Sequence, residues 1–108
     1  MFPCSGGADV GALSDAVARK LSKDGKAKMF CLAGIGAHVD GMIESAKSAD
    51  KIISIDGCPA MCARRLLEHA GFVPEPYVLK QFGFEKGKSE INDNVISDVT
   101  SRIIGGSD

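Results

Sequence analysis

Apolar positions along the chain follow two alternating periods. Val10, Leu13, Val17 and Leu21 recur every three or four residues, the stripe of a helix that Asp9 can cap and Gly25 can close. Lys28 to Leu32 (KMFCL) is a short apolar run that predicts a strand. A second helix is expected from about Ala37 to Ser48, turning Val39, Met42, Ile43 and Ala46 inward. Lys51 to Asp56 (KIISID) has the β-branched content of a strand. Pro59 suits the first position of a third helix, whose stripe is Ala63, Leu66, Leu67 and Ala70. Tyr77 to Phe82 predicts a further strand, Gly83 to Asn92 a charged, solvated loop, and Val95, Val99 and Ile103 a last helix. Met1 to Pro3 completes the alternation as a first strand, with a proline suited only to a strand end or edge.

Strands alternating with helices predict an α/β fold: a three-layer sandwich with a small, mainly parallel sheet of about four strands and helices on both faces. A chain of 108 residues forms a single domain, residues 1–108, with one core. Thirteen Lys and Arg against fourteen Asp and Glu give no surplus of positive charge, so no nucleic-acid partner is expected. The longest stretch free of Asp, Glu, Lys and Arg runs from Met29 to Val39, too short to span a membrane. The N-terminus has neither the basic nor the apolar segment of a secretory signal, so a cytoplasmic protein is expected.

Four cysteines change this picture, because clustered cysteines in a reducing compartment serve as metal ligands or reactive thiols. Cys4, Cys31 and Cys58 are each 27 residues apart, the length of one βα unit, which places them at equivalent points of successive units. Each falls at or just after the carboxyl end of a predicted strand, the edge where open α/β sheets bind ligands. Cys62 follows Cys58 by one helical turn. Helix N-termini beginning beside Cys4, Cys31 and Cys58 would favour thiolate. Four converging thiolates suit a tetrahedral zinc ion, with Cys4, Cys31, Cys58 and Cys62 as metal ligands. An iron–sulfur cluster also takes four cysteines, but the clustered ligand run of ferredoxins is missing, so zinc is preferred. Asp56 reads as a group that either supports the metal ligands from behind or fixes the turn, since a further carboxylate would worsen the charge of four thiolates, and Arg64 and Arg65 offer some compensation. His38, in the first turn of the second helix, and His69, at the far end of the third, read as ordinary helix residues. Any single cysteine, Cys31 above all, would also serve as plain core.

Two other loop chemistries do not fit. A phosphatase loop needs an arginine six residues after its cysteine, and that position is Val10. Ser5-Gly-Gly-Ala-Asp9 is similar to the start of an ATP-pyrophosphatase loop, whose closing hydroxyl residue is likewise replaced by Val10.

Three motifs in order, Cys4-Ser-Gly-Gly-Ala-Asp-Val-Gly, Cys31-Leu-Ala-Gly-Ile-Gly-Ala and Asp56-Gly-Cys-Pro-Ala-Met-Cys-Ala, resemble the DGC-domain family, named for its Asp-Gly-Cys tripeptide. The resemblance runs from Met1 to about Phe72. It implies a zinc-binding protein whose four cysteine ligands map onto Cys4, Cys31, Cys58 and Cys62, and it assigns no activity. The expectation is therefore a small soluble protein whose partner is a metal ion, held at the carboxyl edge of the sheet. The alternative is a thiol-based redox or transfer enzyme with Cys58 as nucleophile and Cys62 as resolving partner. A third reading is an interaction domain with inert cysteines. The sequence gives no substrate and no protein partner.

Overall fold

A computed structural model describes the backbone of residues 1–107 and the side chains of 1–103. Three strands, β1 (Phe2–Pro3), β2 (Ile53–Asp56) and β3 (Glu75–Val78), form one sheet in the order β1-β2-β3, parallel throughout. Five helices accompany them: α1 (Asp9–Lys23), α2 (Leu32–Gly36), α3 (Asp40–Lys47), α4 (Cys62–His69) and α5 (Asp93–Ser107). Phe2 pairs with Ser54 and Pro3 with Ile55, while Ile53 to Asp56 run beside Glu75 to Val78.

Neighbouring residues of the sheet serve two cores. Met1 and Ile55 join Leu13, Val17 and Leu21 of α1 and Val99 and Ile103 of α5. Phe2 turns the other way and joins Ile35 of α2, Ala46 of α3 and Leu67 of α4. The predicted α1 stripe is buried throughout, and burial of large aliphatic side chains of this kind contributes about 1.5–3 kcal/mol each. Gly25 closes α1 as expected, with φ +73° and the two backbone bonds of a Schellman end, Lys26 N–H to the Leu21 carbonyl and Gly25 N–H to that of Ser22.

The sheet has three strands where about four were expected, and the missing one is Lys28 to Leu32. That segment does start a parallel pairing with β1: the Met1 nitrogen donates to the Lys28 carbonyl at 3.0 Å, and Phe30 N–H donates to the Met1 carbonyl at 2.9 Å. The next donor on that side of β1 would be residue 3, a proline with no N–H, so the ladder stops. At the other edge, Glu75 N–H donates to the Ile52 carbonyl, and strand alternation turns the nitrogen of Pro76 away from β2.

Other elements are shorter or displaced. The predicted strand Tyr77 to Phe82 ends at Val78 and continues as a 3₁₀ turn, Leu79–Phe82. The predicted helix from Ala37 to Ser48 is broken: α2 ends at Gly36, His38 takes φ +55°, and α3 starts at Asp40. Val39 is consequently 45 % exposed, while Ala46 is buried as expected. The third helix begins at Cys62 and not at Pro59, because Met61 sits in the left-handed region at φ +52°. Asp9 is the first residue of α1, not its cap. Its carboxylate accepts Gly87 N–H at 2.8 Å and Ser89 N–H at 2.9 Å, so the loop expected to be merely solvated is tied to α1. No helix among the described residues is long and apolar enough to cross a membrane.

Candidate functional site

Cys4 follows β1 directly, and its N–H extends the ladder to the Ile55 carbonyl at 2.9 Å. Its sulfur is half-buried and accepts Gly57 N–H at 3.4 Å. The buried Ser14 hydroxyl lies 3.1 Å from the same sulfur and donates to the Gly11 carbonyl at 2.8 Å. A hydroxyl has one proton to give. While Gly11 holds it, Cys4 must be the donor to Ser14, as a thiol. Rotated onto the sulfur, it would stabilise the thiolate.

Two glycines allow the close approach that builds this corner. A Cβ on Gly57 would lie 2.6 Å from the Val10 backbone, and one on Gly11 would lie 2.5 Å from the Gly6 carbonyl oxygen. The loops after β1 and β2 are thus pressed against the first turns of α1.

Cys31 is exposed and is the N-cap of α2, its sulfur accepting Gly34 N–H at 3.4 Å. This overturns the core reading of that residue. Cys58, half-buried, stands two residues after β2 in the turn closed by Met61 N–H on the Cys58 carbonyl at 3.1 Å. It does not begin a helix, as Pro59 had suggested; Cys62 does, and it is exposed. The helix start therefore belongs to Cys62 and not to Cys58.

Asp56 explains why α4 starts there. It is the last residue of β2 and 2 % exposed, and its carboxylate accepts Ala63 N–H at 2.8 Å and Arg64 N–H at 3.1 Å. These are unpaired donors of the first turn of α4, which has no side-chain cap of its own. The turn-fixing role read from sequence is what the hydrogen bonds show. Burial pushes the Asp56 carboxyl above its ordinary value, against those two bonds and the nearby Arg64 charge, which pull it down. Arg64 turns its guanidinium to Glu68, 3.5 Å away, and to the Met61 sulfur, and Arg65 is exposed.

Ser5, Asp15 and Arg19 form a chain of contacts that the sequence reading passed over. Ser5 Oγ donates to Asp15 Oδ1 at 2.8 Å, and Arg19 Nε donates to Asp15 Oδ2 at 2.6 Å. The signal available was the four-residue step from Asp15 to Arg19 on one helix. Partial burial raises the Asp15 carboxyl, but the hydrogen bonds from Arg19 and Ser5 and the Arg19 charge outweigh it, and the group stays below its ordinary value.

All four cysteines are free. Cys4 and Cys31 line one cavity. Among the described residues no group of three or more Cys, His, Asp or Glu is placed to hold a metal ion. His38, expected in a first helical turn, lies in the break between α2 and α3, and His69 ends α4 as expected; both are exposed.

The DGC domain profile matches residues 1–103. The "Anaerobic and virulence modulator AnvM" of Pseudomonas aeruginosa (strain PAO1) is 32 % identical over 91 residues, covering 83 % of this chain and 70 % of that protein. No solved structure matches.

Proposed function

The chain belongs to the DGC domain family, and from that premise we propose that it is a metal-binding protein whose zinc ion is held by Cys4, Cys31, Cys58 and Cys62. The observation that carries this reading is the donor set. Four free thiols lie on the turns that follow β1 and β2 and at the starts of α2 and α4. Two of their sulfurs already accept backbone N–H groups, from Gly57 and Gly34, the kind of contact that favours a thiolate. The Asp56 carboxylate, two residues before Cys58, is occupied by α4 and does not compete as a ligand. When bound, the ion supplies a cross-link between segments far apart in the chain, and an open coordination position if one cysteine stands off. Since no three of these side chains are gathered in the structure, binding includes drawing the loops together, and metal affinity is coupled to folding. We place the protein in the cytoplasm, where thiols stay reduced.

The rival is thiol redox chemistry, and one observation favours it: Cys62 is exposed at the first residue of α4. There the Cys62 thiolate would attack an external disulfide and release one thiol. Cys58 would then attack the mixed disulfide and release the second, leaving Cys58–Cys62 oxidised. In this rival reading the two roles are the reverse of those expected from sequence.

Elemental analysis of protein purified without a metal-affinity tag, with thiol titration before and after a chelator, separates these readings. Metal binding predicts equimolar zinc and thiols that react only after chelation. Metal-free protein whose thiols react at once, with Cys58 and Cys62 oxidising reversibly, would replace it with the redox reading. No metal and no reversible oxidation would leave the cysteines inert.

A further inference from the structure

Beside Cys4 and Cys31 opens a cavity of about 630 Å³, within the range of small-molecule sites. One wall is apolar, formed by Phe30, Leu32 and Leu66, which pack against the second core. Asp15 and Arg19 also line it. Arg19 is engaged at Nε by Asp15 at 2.6 Å, and Asp15 is in turn held by Ser5. Its terminal nitrogens have no protein partner among the described residues and keep the planar fork that binds carboxylate. Ser5, which steadies Asp15, is itself held in the left-handed region at φ +50°, a conformation that costs about 1–3 kcal/mol and collects at ligand sites.

We propose that this cavity binds a small apolar carboxylate, with its carboxylate on the terminal nitrogens of Arg19 and its body against Phe30, Leu32 and Leu66, beside the sulfurs of Cys4 and Cys31. The Asp15 charge beside Arg19 leaves the site near neutral overall. A monoanion is accepted there, while a phosphate dianion meets added repulsion. The proposal goes beyond the metal site and does not need the ion, because Arg19 and the apolar wall carry it.

The test titrates the ¹⁵N-labelled full chain with hexanoate, hexanol and hexyl phosphate, both chelator-treated and zinc-loaded. Hexanoate is expected to shift amides near residues 4, 19, 31 and 66 and to bind about tenfold more tightly than hexanol, as one charge-assisted pair predicts. Arg19→Ala, at an exposed position where folding is not at stake, should erase that preference, and Arg19→Lys should keep part of it. Equal binding of hexanoate and hexanol would overturn the proposal. So would a preference that survives Arg19→Ala, shifts confined to another face, or tighter binding of hexyl phosphate. If hexanoate binds only to zinc-loaded protein, the carboxylate is on the metal: the Arg19 site falls and the metal reading stands. Binding that survives chelation supports the Arg19 site whatever the metal analysis shows.

Discussion

Where the chain leaves β1 and β2 it turns left-handed at Ser5 (φ +50°) and Met61 (φ +52°). After α1 and α4, on its way back to the sheet, it does so at Gly25 (φ +73°) and Gly71 (φ +95°). The returning turns are economical. Both are Schellman ends, with Lys26 N–H on the Leu21 carbonyl and Phe72 N–H on the Leu67 carbonyl, and both use the residue type that adopts this conformation without strain. The departing turns force side-chain-bearing residues into the same region, and long-range contacts hold them there: Ser5 by Asp15, and the turn before Met61 by Gly57 on Cys4. Left-handed residues other than glycine that long-range contacts hold in place tend to collect at sites. Here they coincide with the thiols.

That contrast can be broken first at its tightest point. Gly57→Ala should destabilise the protein by about 3 kcal/mol, because its Cβ meets the Val10 backbone, which cannot step aside. Urea unfolding would show it, and a loss no larger than for Gly25→Ala would mean the departing loops are not pressed together. Asp56→Ala comes next, at about 2 kcal/mol, since it leaves Ala63 and Arg64 N–H unpaired, with Asn at this position recovering part of the loss. The returning turns should respond less. Gly25→Ala has open space around its Cβ and suffers only from its positive φ, about 1 kcal/mol.

The smallest effect is local and depends on pH. Bonds from Gly87 and Ser89 hold the Asp9 carboxyl below its ordinary value, so the folded state binds this proton less readily than the unfolded chain. The stabilisation is present above the ordinary carboxyl value of 3.8 and is lost as pH falls through the lower folded value. Hydrogen exchange of the Gly87 and Ser89 amides should accelerate relative to the rest of the chain as pH drops through that range. Asp9→Asn should show weak protection at every pH.

The α1 stripe, the closing Gly25 and the strand expected over Lys51 to Asp56, which forms over Ile53–Asp56, were legible because each is decided by neighbours in sequence. What sequence could not supply was decided across the fold. KMFCL has the composition of a strand, and its partner strand lacks the one N–H needed to continue the pairing, so the ladder depends on Pro3, 25 residues before Lys28. Pro59 is a sound helix opener, but Asp56 reaches past it to Ala63 and Arg64, and α4 starts at Cys62. The break at His38 left no local mark, since Ala37 to Ser48 keeps a helical apolar period through it. For the cysteines, spacing indicated the strand ends of Cys4 and Cys58, whereas the N–H that faces Cys4 comes from the loop after β2, 53 residues away, and the one that faces Cys31 from the first turn of an α2 that was not expected.

Pro76 has a consequence that lies between molecules. On β3 only residues 76 and 78 can offer an N–H to the outside, and one of them is a proline. A strand from another copy laid along that edge would find every second rung missing. The opposite edge is occupied by the chain's own residues 28–30. Open sheets invite edge-to-edge polymerisation, and this one discourages it on both sides without closing into a barrel. The molecule can therefore carry exposed, adhesive thiols on its loops while its backbone gives other copies little to hold.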